Sequence, residues 1–342
     1  MAHYKMALLG FGNVGQALAR LLLGKEAELK SQRGITFSVT GIATGRHGAA
    51  VDPKGLDLER CLGVMNSGAS LDRLGQGEKP ADALDFIRRC GAEVLFENTP
   101  VNYETGLPAI DHLRAALETG MHAITANKGP VVHAYQQLSQ LAASKKRKFY
   151  FESTVMDGAP IFSLFRGSLP AAQLKAFRGI LNSTTNLILT RMEKGASLED
   201  AITYAQSVGI AETDPSGDVD GWDAAVKVAA LVTVLMGIPL TPYQVDREGI
   251  RAISIDDIAR ATDDGKRWKL VCSARRDGDG VHARVAPEMV PPGSPLYNVE
   301  GTTSIVEFET DVLGLLSVIE TDPGPDTTAY GLLADFLNAV AT

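Results

Sequence analysis

Along the first 150 residues, apolar and polar positions switch repeatedly between two periods. Short β-rich runs at Lys5–Leu9, Thr36–Ala43, Val94–Glu97, His122–Thr125 and Lys148–Glu152 predict strands. The amphipathic segments Val14–Leu23, Leu107–Thr119 and Val132–Ser144 predict helices between them, with Leu18, Leu21 and Leu22 on one face of the first. Strands alternating with helices at this spacing mean βαβ units and a parallel sheet. The texture changes after residue 150. A Thr/Asn-rich turn (Asn182-Ser183-Thr184-Thr185-Asn186) precedes helices predicted near Leu187–Glu193, Ser197–Val208 and Asp223–Met236. Strands are predicted at Trp268–Arg275, Val281–Val285 and Ser304–Thr310, and a last helix at Tyr330–Ala341. The reading is an α/β chain: a parallel-sheet domain over 1–150, an α+β domain over 151–314, and a C-terminal stretch, 315–342, whose helix packs back on the first domain.

Gly10-Phe11-Gly12-Asn13-Val14-Gly15 is a GxGxxG that follows an apolar strand and opens a helix. In that context the first Gly permits the tight turn and the second lets a diphosphate approach the backbone. The third lets helix and strand pack closely, and the amides of the helix N-terminus face the phosphates. The first domain is therefore expected to be a Rossmann-type, dinucleotide-binding one. An NAD-specific strand would end in an acid for the ribose hydroxyl. Here Ala43 is followed by Thr44-Gly45-Arg46, and no acid occurs before Asp52. Arg46 at that point favours NADP over NAD, with NAD remaining possible.

Charge excludes several classes. The 33 Lys and Arg against 41 Asp and Glu give a net charge of -8, so phosphate backbones and anionic lipid exert no general attraction. Neither nucleic acid nor membrane is an expected partner. The basic run Lys145-Lys146-Arg147-Lys148 reads as a solvated helix end. The stretch Ala224–Val245 is poor in charge, but Lys227 and Pro239 leave too few apolar residues for a span. Cys61, Cys90 and Cys272 form no CxxC pair, which points to a reducing cytoplasm. The histidines show no zinc-ligand spacing.

Three later segments narrow the reading. They are Glu97-Asn98-Thr99-Pro100, Thr125-Ala126-Asn127-Lys128-Gly129-Pro130, and Gly209-Ile210-Ala211-Glu212-Thr213-Asp214-Pro215 with Asp218, Gly221, Asp223 and Lys227. Together with the glycine turn and Gly179-Ile180-Leu181-Asn182-Ser183-Thr184-Thr185-Asn186, the chain resembles the homoserine dehydrogenases from residue 5 to about 240. A weaker match follows at Gly324-Pro325-Asp326-Thr327-Thr328-Ala329. The resemblance implies an NAD(P)H-dependent interconversion of L-aspartate 4-semialdehyde and L-homoserine, on the route to threonine, methionine and isoleucine. It makes the second domain the catalytic and dimerisation domain of a homodimer. Lys128 and Lys227 are then the catalytic lysines, supported by Asp223, and Glu212, Asp218, Ser183 and Thr184 hold substrate. Thr99, Pro100, Lys128 and Gly324 join Gly10 to Gly15 and Arg46 at the cofactor. A monovalent cation, usually sodium, is implied at Glu152, Val155, Asp157 and Ala159, held largely by main-chain oxygens. Three positions depart from the family pattern. Ile210 stands where Tyr is frequent, Met156-Asp157 replaces small residues, and the C-terminal glycine loop is reduced to Gly324-Pro325. The resemblance is to the short form, without a regulatory domain, so feedback inhibition through such a domain is not expected.

The residues themselves support proton chemistry. Hydride reduction of an aldehyde leaves an alkoxide that must be protonated. Asp223 and Lys227 are four apart on a predicted helix, in the favourable acid-before-base order. Ala224, Ala230, Leu231 and Val234 share that stripe, so it should draw Lys227 at least partly out of water while Asp223 keeps it charged. Any one of the acids Glu212, Asp214, Asp218 and Asp220 reads, taken singly, as a solvated loop residue. Lys128 is expected in a loop at the end of a parallel strand, where ligands of such sheets bind. Another small amino or oxo acid as substrate, or a non-catalytic NADPH sensor on the same fold, are the rival readings.

Overall fold

Met6 and Leu8 of β1 (Ala2–Leu9) point to one face of their sheet, Ala7 and Leu9 to the other, and all four are buried. A strand apolar on both faces belongs at the centre of a parallel sheet covered on two sides. The computed structural model describes residues 1–341, which divide into two units. Residues 1–160 and the segment from 324 onward form the first.

In that unit β1 leads through α1 (Asn13–Arg33) to β2 (Ile35–Ala43), which pairs with it in parallel. The short β3 (Ala49–Val51) adds to the outer edge of β2 in the antiparallel sense. After α2 (Leu58–Asn66) and α3 (Ala83–Arg89), β4 (Val94–Glu97) returns to the other side of β1. Then come α4 (Ala109–Glu118), β5 (His122–Thr125), α5 (Lys128–Ser144) and β6 (Phe149–Tyr150), and the sheet order is β3-β2-β1-β4-β5-β6. The reversal between β2-β1 and β1-β4 opens a crevice at the carboxyl ends of the strands, the usual ligand position of an open parallel sheet. One face is covered by Leu18 and Leu22 of α1 and by Leu332 and Phe336 of the C-terminal helix, the other by Phe86, Ile87 and Ala116.

The second unit (Ile161–Pro323) opens with a single turn, α6 (Ile161–Ser163), that widens into a π-helical turn at Leu164–Ser168. Its strands are β7 (Leu174–Ile180), β8 (Asp246–Arg247), β9 (Arg267–Asp277), β10 (Gly280–Val290), β11 (Ser304–Thr310) and β12 (Gly314–Glu320). They form one sheet, β12-β11-β7-β9-β10-β8, antiparallel except between β8 and β10. The helices are α7 (Ser183–Glu193), α8 (Leu198–Ser207), α9 (Ser216–Val219), α10 (Trp222–Leu231) and α11 (Ile255–Asp263). Of these, α7 and α10 pack on β9. The last helix, α12 (Pro325–Val340), lies along α1 in the first unit.

Several elements differ from the sequence reading. The division falls at 160/161 and 323/324, not 150/151 and 314/315. Residues 152–160 stay with the first unit because Asp335 of α12 accepts the Glu152 N–H (2.6 Å) and the Ser153 hydroxyl donates to the Thr328 carbonyl (2.7 Å). β12 pairs with β11, which keeps Gly314–Glu320 in the second unit. Helix α1 runs ten residues beyond Leu23 until Gly34, at φ +64, bonds back to the Leu29 carbonyl. Lys30 and Arg33 in its last turn suit the carbonyl end of the dipole. Lys128 is not in a loop: it is the first residue of α5, capped by Asn127. Among the described residues, no helix is long and apolar enough to cross a membrane.

Candidate functional site

The glycine turn is shaped by close backbone approach. Gly10 has φ +94, and a Cβ there would meet the Asn98 carbonyl oxygen at 2.3 Å. A Cβ on Gly15 would meet the Gly10 carbonyl oxygen at 2.4 Å, so only glycine lets α1 sit this close to β1. Gly12 differs. Nothing lies within 4 Å of a Cβ placed on it, and it caps α1 with Asn13 exposed beside it. The helix N-terminus, whose first amides have no intrahelical partner, is open on that side. Phe11 is buried in the core, so only its main chain is available to a cofactor.

A cavity of about 480 Å³ runs along the carboxyl ends of the strands, from Leu9 and Ala43 to Thr99 and His112. Arg46 lines it, exposed in the turn after β2. So does Lys79, which gives no sequence signal because it lies far beyond Arg46 along the chain, in a stretch where no element is predicted. Lys79 is tied to Asp72 at 2.7 Å, and that hydrogen bond, with one from the Ala49 N–H, holds the Asp72 carboxyl below its usual range. At the far end of the cavity the Asn127 amide donates to the Thr99 carbonyl (3.0 Å), while its oxygen accepts the Gly129 N–H (3.0 Å). Thr99, Pro100 and the start of α5 at Lys128 are thereby held together.

Gly324, by contrast, caps α12 in an extended conformation. Its N–H donates to the Thr327 hydroxyl oxygen and its carbonyl accepts the hydroxyls of Thr327 and Thr328. The implied cation residues form a buried turn: Glu152, Val155 and Ala159 are buried, and Asp157 adopts φ +39 with its carboxylate accepting from the Thr328 hydroxyl at 2.6 Å. No group of three or more His, Cys, Asp or Glu side chains suited to a metal occurs among the described residues.

In the second unit the polar residues converge on Asn182. Its oxygen caps α7, accepting from the Thr185 N–H and hydroxyl, both at 2.8 Å. Its amide donates to Asp218 (2.6 Å) and to Asp223 (3.0 Å). Lys227 donates to the Leu181 carbonyl (2.6 Å) and pairs with Asp223 at 3.4 Å. The side chains of that ion pair are only 13% and 12% exposed, as the apolar stripe of α10 predicts. Burial first, and then the Asp223 carboxylate, push the Asp218 carboxyl up, against the hydrogen bonds from Asn182 and Thr184. Cys272 lies in the same neighbourhood, but burial pushes its thiol up to about 12, which removes it as a nucleophile.

Asp218, Asp223, Lys227 and Thr184 are thus brought into one cluster. Ser183 is the first residue of α7, next to the cap, and Glu212 sits on an exposed loop tied to the cluster by the bond from Thr184 to the Ile210 carbonyl (3.3 Å) and by that from the Asp218 N–H to the Pro215 carbonyl (3.0 Å). Asp214 and Asp220 take the ordinary roles: Asp214 accepts the Ser216 N–H, and Asp220 pairs with Arg251. Asn182 itself was visible only as part of a motif, since a cap asparagine carries no charge to single it out.

A parallel sheet with a GxGxxG turn in one unit and a desolvated acid–lysine pair in the other are the features of a nicotinamide-nucleotide-dependent oxidoreductase acting on an alcohol or carbonyl group. The family models give the particular case: "Homoserine dehydrogenase, NAD binding domain" matches residues 10–152, and "Homoserine dehydrogenase" matches residues 160–337. The chain belongs to the homoserine dehydrogenase family. It is 36% identical over 339 residues to an NAD(+)-dependent homoserine dehydrogenase of Pseudomonas canavaninivorans, covering 99% of this chain and 96% of that one. It is 36% identical over 332 residues to a homoserine dehydrogenase of Methanocaldococcus jannaschii, covering 97% of each. A solved hyperthermophilic archaeal homoserine dehydrogenase in complex with NADPH superimposes with a TM-score of 0.84 at 29% identity, over 99% of this chain and 98% of that one.

Proposed function

We propose that the chain reduces L-aspartate 4-semialdehyde to L-homoserine with NADPH, and reverses the reaction, using Lys227 as the proton donor and acceptor. The observation that carries this is the Asn182–Asp218–Asp223–Lys227 cluster. Reduced nicotinamide supplies the hydride. The alkoxide it leaves needs a proton, and Lys227, which donates to the Leu181 carbonyl and pairs with Asp223, is an ammonium with three N–H donors that can turn one to the substrate oxygen. Asp223 steadies the ammonium. Asp218, Glu212 and the Ser183-Thr184 turn offer acceptors and donors to the ammonium and carboxylate of an amino-acid substrate. Lys128, at the N-terminus of α5, and the Thr99-Pro100 loop serve the nicotinamide end. Incubation of the protein with aspartate semialdehyde and NADPH, followed by absorbance of the reduced nicotinamide, tests the reading. Oxidation of NADPH that tracks the semialdehyde supports it; no oxidation overturns it.

NADPH is favoured over NADH because two cations, Arg46 and Lys79, line the cavity where a ribose phosphate would lie and no carboxylate ends β2. The NAD(+)-dependent relative from Pseudomonas canavaninivorans makes this a real choice between cofactors. Arg46→Ala is expected to raise the KM for NADPH roughly tenfold, the worth of one charge-assisted contact, and Lys79→Ala to act in the same direction. The KM for NADH should not move. Equal effects on both cofactors would remove these cations from the phosphate position.

The proposed assembly is a cytoplasmic homodimer joined through the open face of the second sheet. Leu315 and Ile319 of β12 are 69% and 59% exposed there, beside a cavity of about 440 Å³ lined by Arg178, Arg275, Glu307 and Glu309. Exposed apolar residues among both signs of charge suit a second copy of the same face. Ile319→Lys is expected to convert the dimer to monomer in light scattering at micromolar concentration. A variant still dimeric would place the interface elsewhere. Sodium is proposed at the buried 152–159 turn, where main-chain oxygens of Glu152, Val155, Asp157 and Ala159 are the donors such an ion takes. The physiological setting proposed is the synthesis of threonine, methionine and isoleucine.

A further inference from the structure

Glu97, the last residue of β4, is fully buried. One of its carboxylate oxygens accepts the N–H of Thr99 at 3.1 Å and also the Thr99 hydroxyl. The other accepts the hydroxyl of Thr125 at 2.9 Å, its register partner on β5. The Thr125 oxygen in turn accepts the Asn127 N–H at 2.9 Å. Asn127 then donates its amide to the Thr99 carbonyl at 3.0 Å and caps the helix that begins at Lys128. The bonds close into a ring, Glu97–Thr99–Asn127–Thr125–Glu97, and His112 lies behind it at 3.7 Å.

We infer that Glu97 is a positioning residue for hydride transfer: its buried carboxylate locks the Thr99-Pro100 loop at the end of β4 to the Asn127-Lys128 helix start at the end of β5. The inference rests on the reading that Thr99, Pro100 and Lys128 serve the nicotinamide. A loop after a strand has few restraints of its own. This one is held from below by an acceptor-only group at its hinge, which takes donors from both sides at once. A misplacement of either segment by a fraction of an ångström would be felt in kcat, because hydride transfer depends on the near-attack distance.

The test compares kcat, KM for NADPH, KM for aspartate semialdehyde and thermal midpoint in a small set of variants. Glu97→Ala removes the hub, and kcat is expected to fall roughly 10- to 100-fold while the KM for the semialdehyde stays near that of the wild type. Glu97→Gln can rebuild the ring without charge. Its oxygen accepts from Thr99, its amide donates to Thr125, and the Thr125 proton turns to the Glu97 carbonyl, already 2.9 Å away. Rescue of kcat to within about fivefold of wild type is therefore expected. Thr125→Val opens the ring from the β5 side with a near-isosteric side chain, and it should behave like the alanine variant even if that variant fails to fold. Two results would overturn the inference. One is an unchanged kcat with only a lower thermal midpoint in Glu97→Ala and Thr125→Val. The other is a glutamine variant as slow as alanine, which would make the charge and not the position matter. Lys128→Ala, run beside them, separates the two levels. Normal turnover there sinks the reading of the nicotinamide end itself, whereas its collapse alongside normal Glu97 variants sinks only the role of Glu97.

Discussion

Lys227→Ala is expected to lose roughly 10²–10⁴-fold in turnover in both directions, the usual worth of a positioned acid–base group. NADPH affinity should be retained, because the glycine turn and the Arg46 cavity belong to the first unit and Lys227 to the second. Lys227→Arg is the sharper variant. A guanidinium keeps the positive charge and can still reach an acceptor such as Leu181 or Asp223, but it does not release a proton near neutral pH. The expected result is a folded, cofactor-binding protein that turns over as poorly as the alanine variant. Near-normal turnover by the arginine variant would reduce Lys227 to an electrostatic role.

Asn182→Ala should be the next most damaging change, and for two separable reasons. Helix α7 loses its cap, which costs about 1 kcal/mol. Asp218 and Asp223, which keep Thr184 and Lys227 as partners, each lose one hydrogen bond to the amide between them, worth about 0.5–1.5 kcal/mol apiece. Urea unfolding is therefore expected to show a loss of roughly 2–4 kcal/mol, the sum of those contributions. Turnover should fall as well, because the two carboxylates repel without the donor and Asp223 no longer holds Lys227 in place. Asn182→Asp separates the reasons. An aspartate caps a helix as well as asparagine does, so the cap survives, but a third carboxylate enters the cluster. It is expected to retain the share of stability due to the cap, to lose at least as much as alanine from the cluster, and to show a deep loss of turnover. An alanine variant with wild-type kcat would show that the cluster is structural.

The parts of the fold legible in the sequence are those where one physical rule dominates. β4 and β5 match their predicted bounds because both are short apolar runs buried on two faces. The glycine turn is legible because backbone approach at Gly10 and Gly15 admits no other residue. β7 was missed although it is central to its sheet. Lys175 and Arg178 break its apolar pattern, and Arg178 lines the open face where it pairs with Glu288. β12 was read as part of the returning tail because Leu315 and Ile319 are apolar but exposed, the reverse of what periodicity assumes. The start of α5 was hidden by Gly129-Pro130, which resemble a turn. Proline is tolerated in a first helical turn, where its missing N–H would have no partner. In the site, charge made Asp223 and Lys227 visible, whereas neutral Asn182, distant Lys79 and buried Glu97 gave no local signal of what they touch.

The measurement that bears most directly on the central claim is the rate of NADP reduction with L-homoserine beside that with 4-hydroxybutyrate. The two share the reacting alcohol and the carboxylate, and differ only in the ammonium that the acidic cluster around Asp218 is proposed to hold. Turnover with L-homoserine, and kcat/KM at least about 100-fold lower with 4-hydroxybutyrate, is the predicted result, the worth of a hydrogen-bonded charged group in a site built for it. Equal kcat/KM for the two alcohols would contradict the account, because the cluster would then not be reading an amino acid.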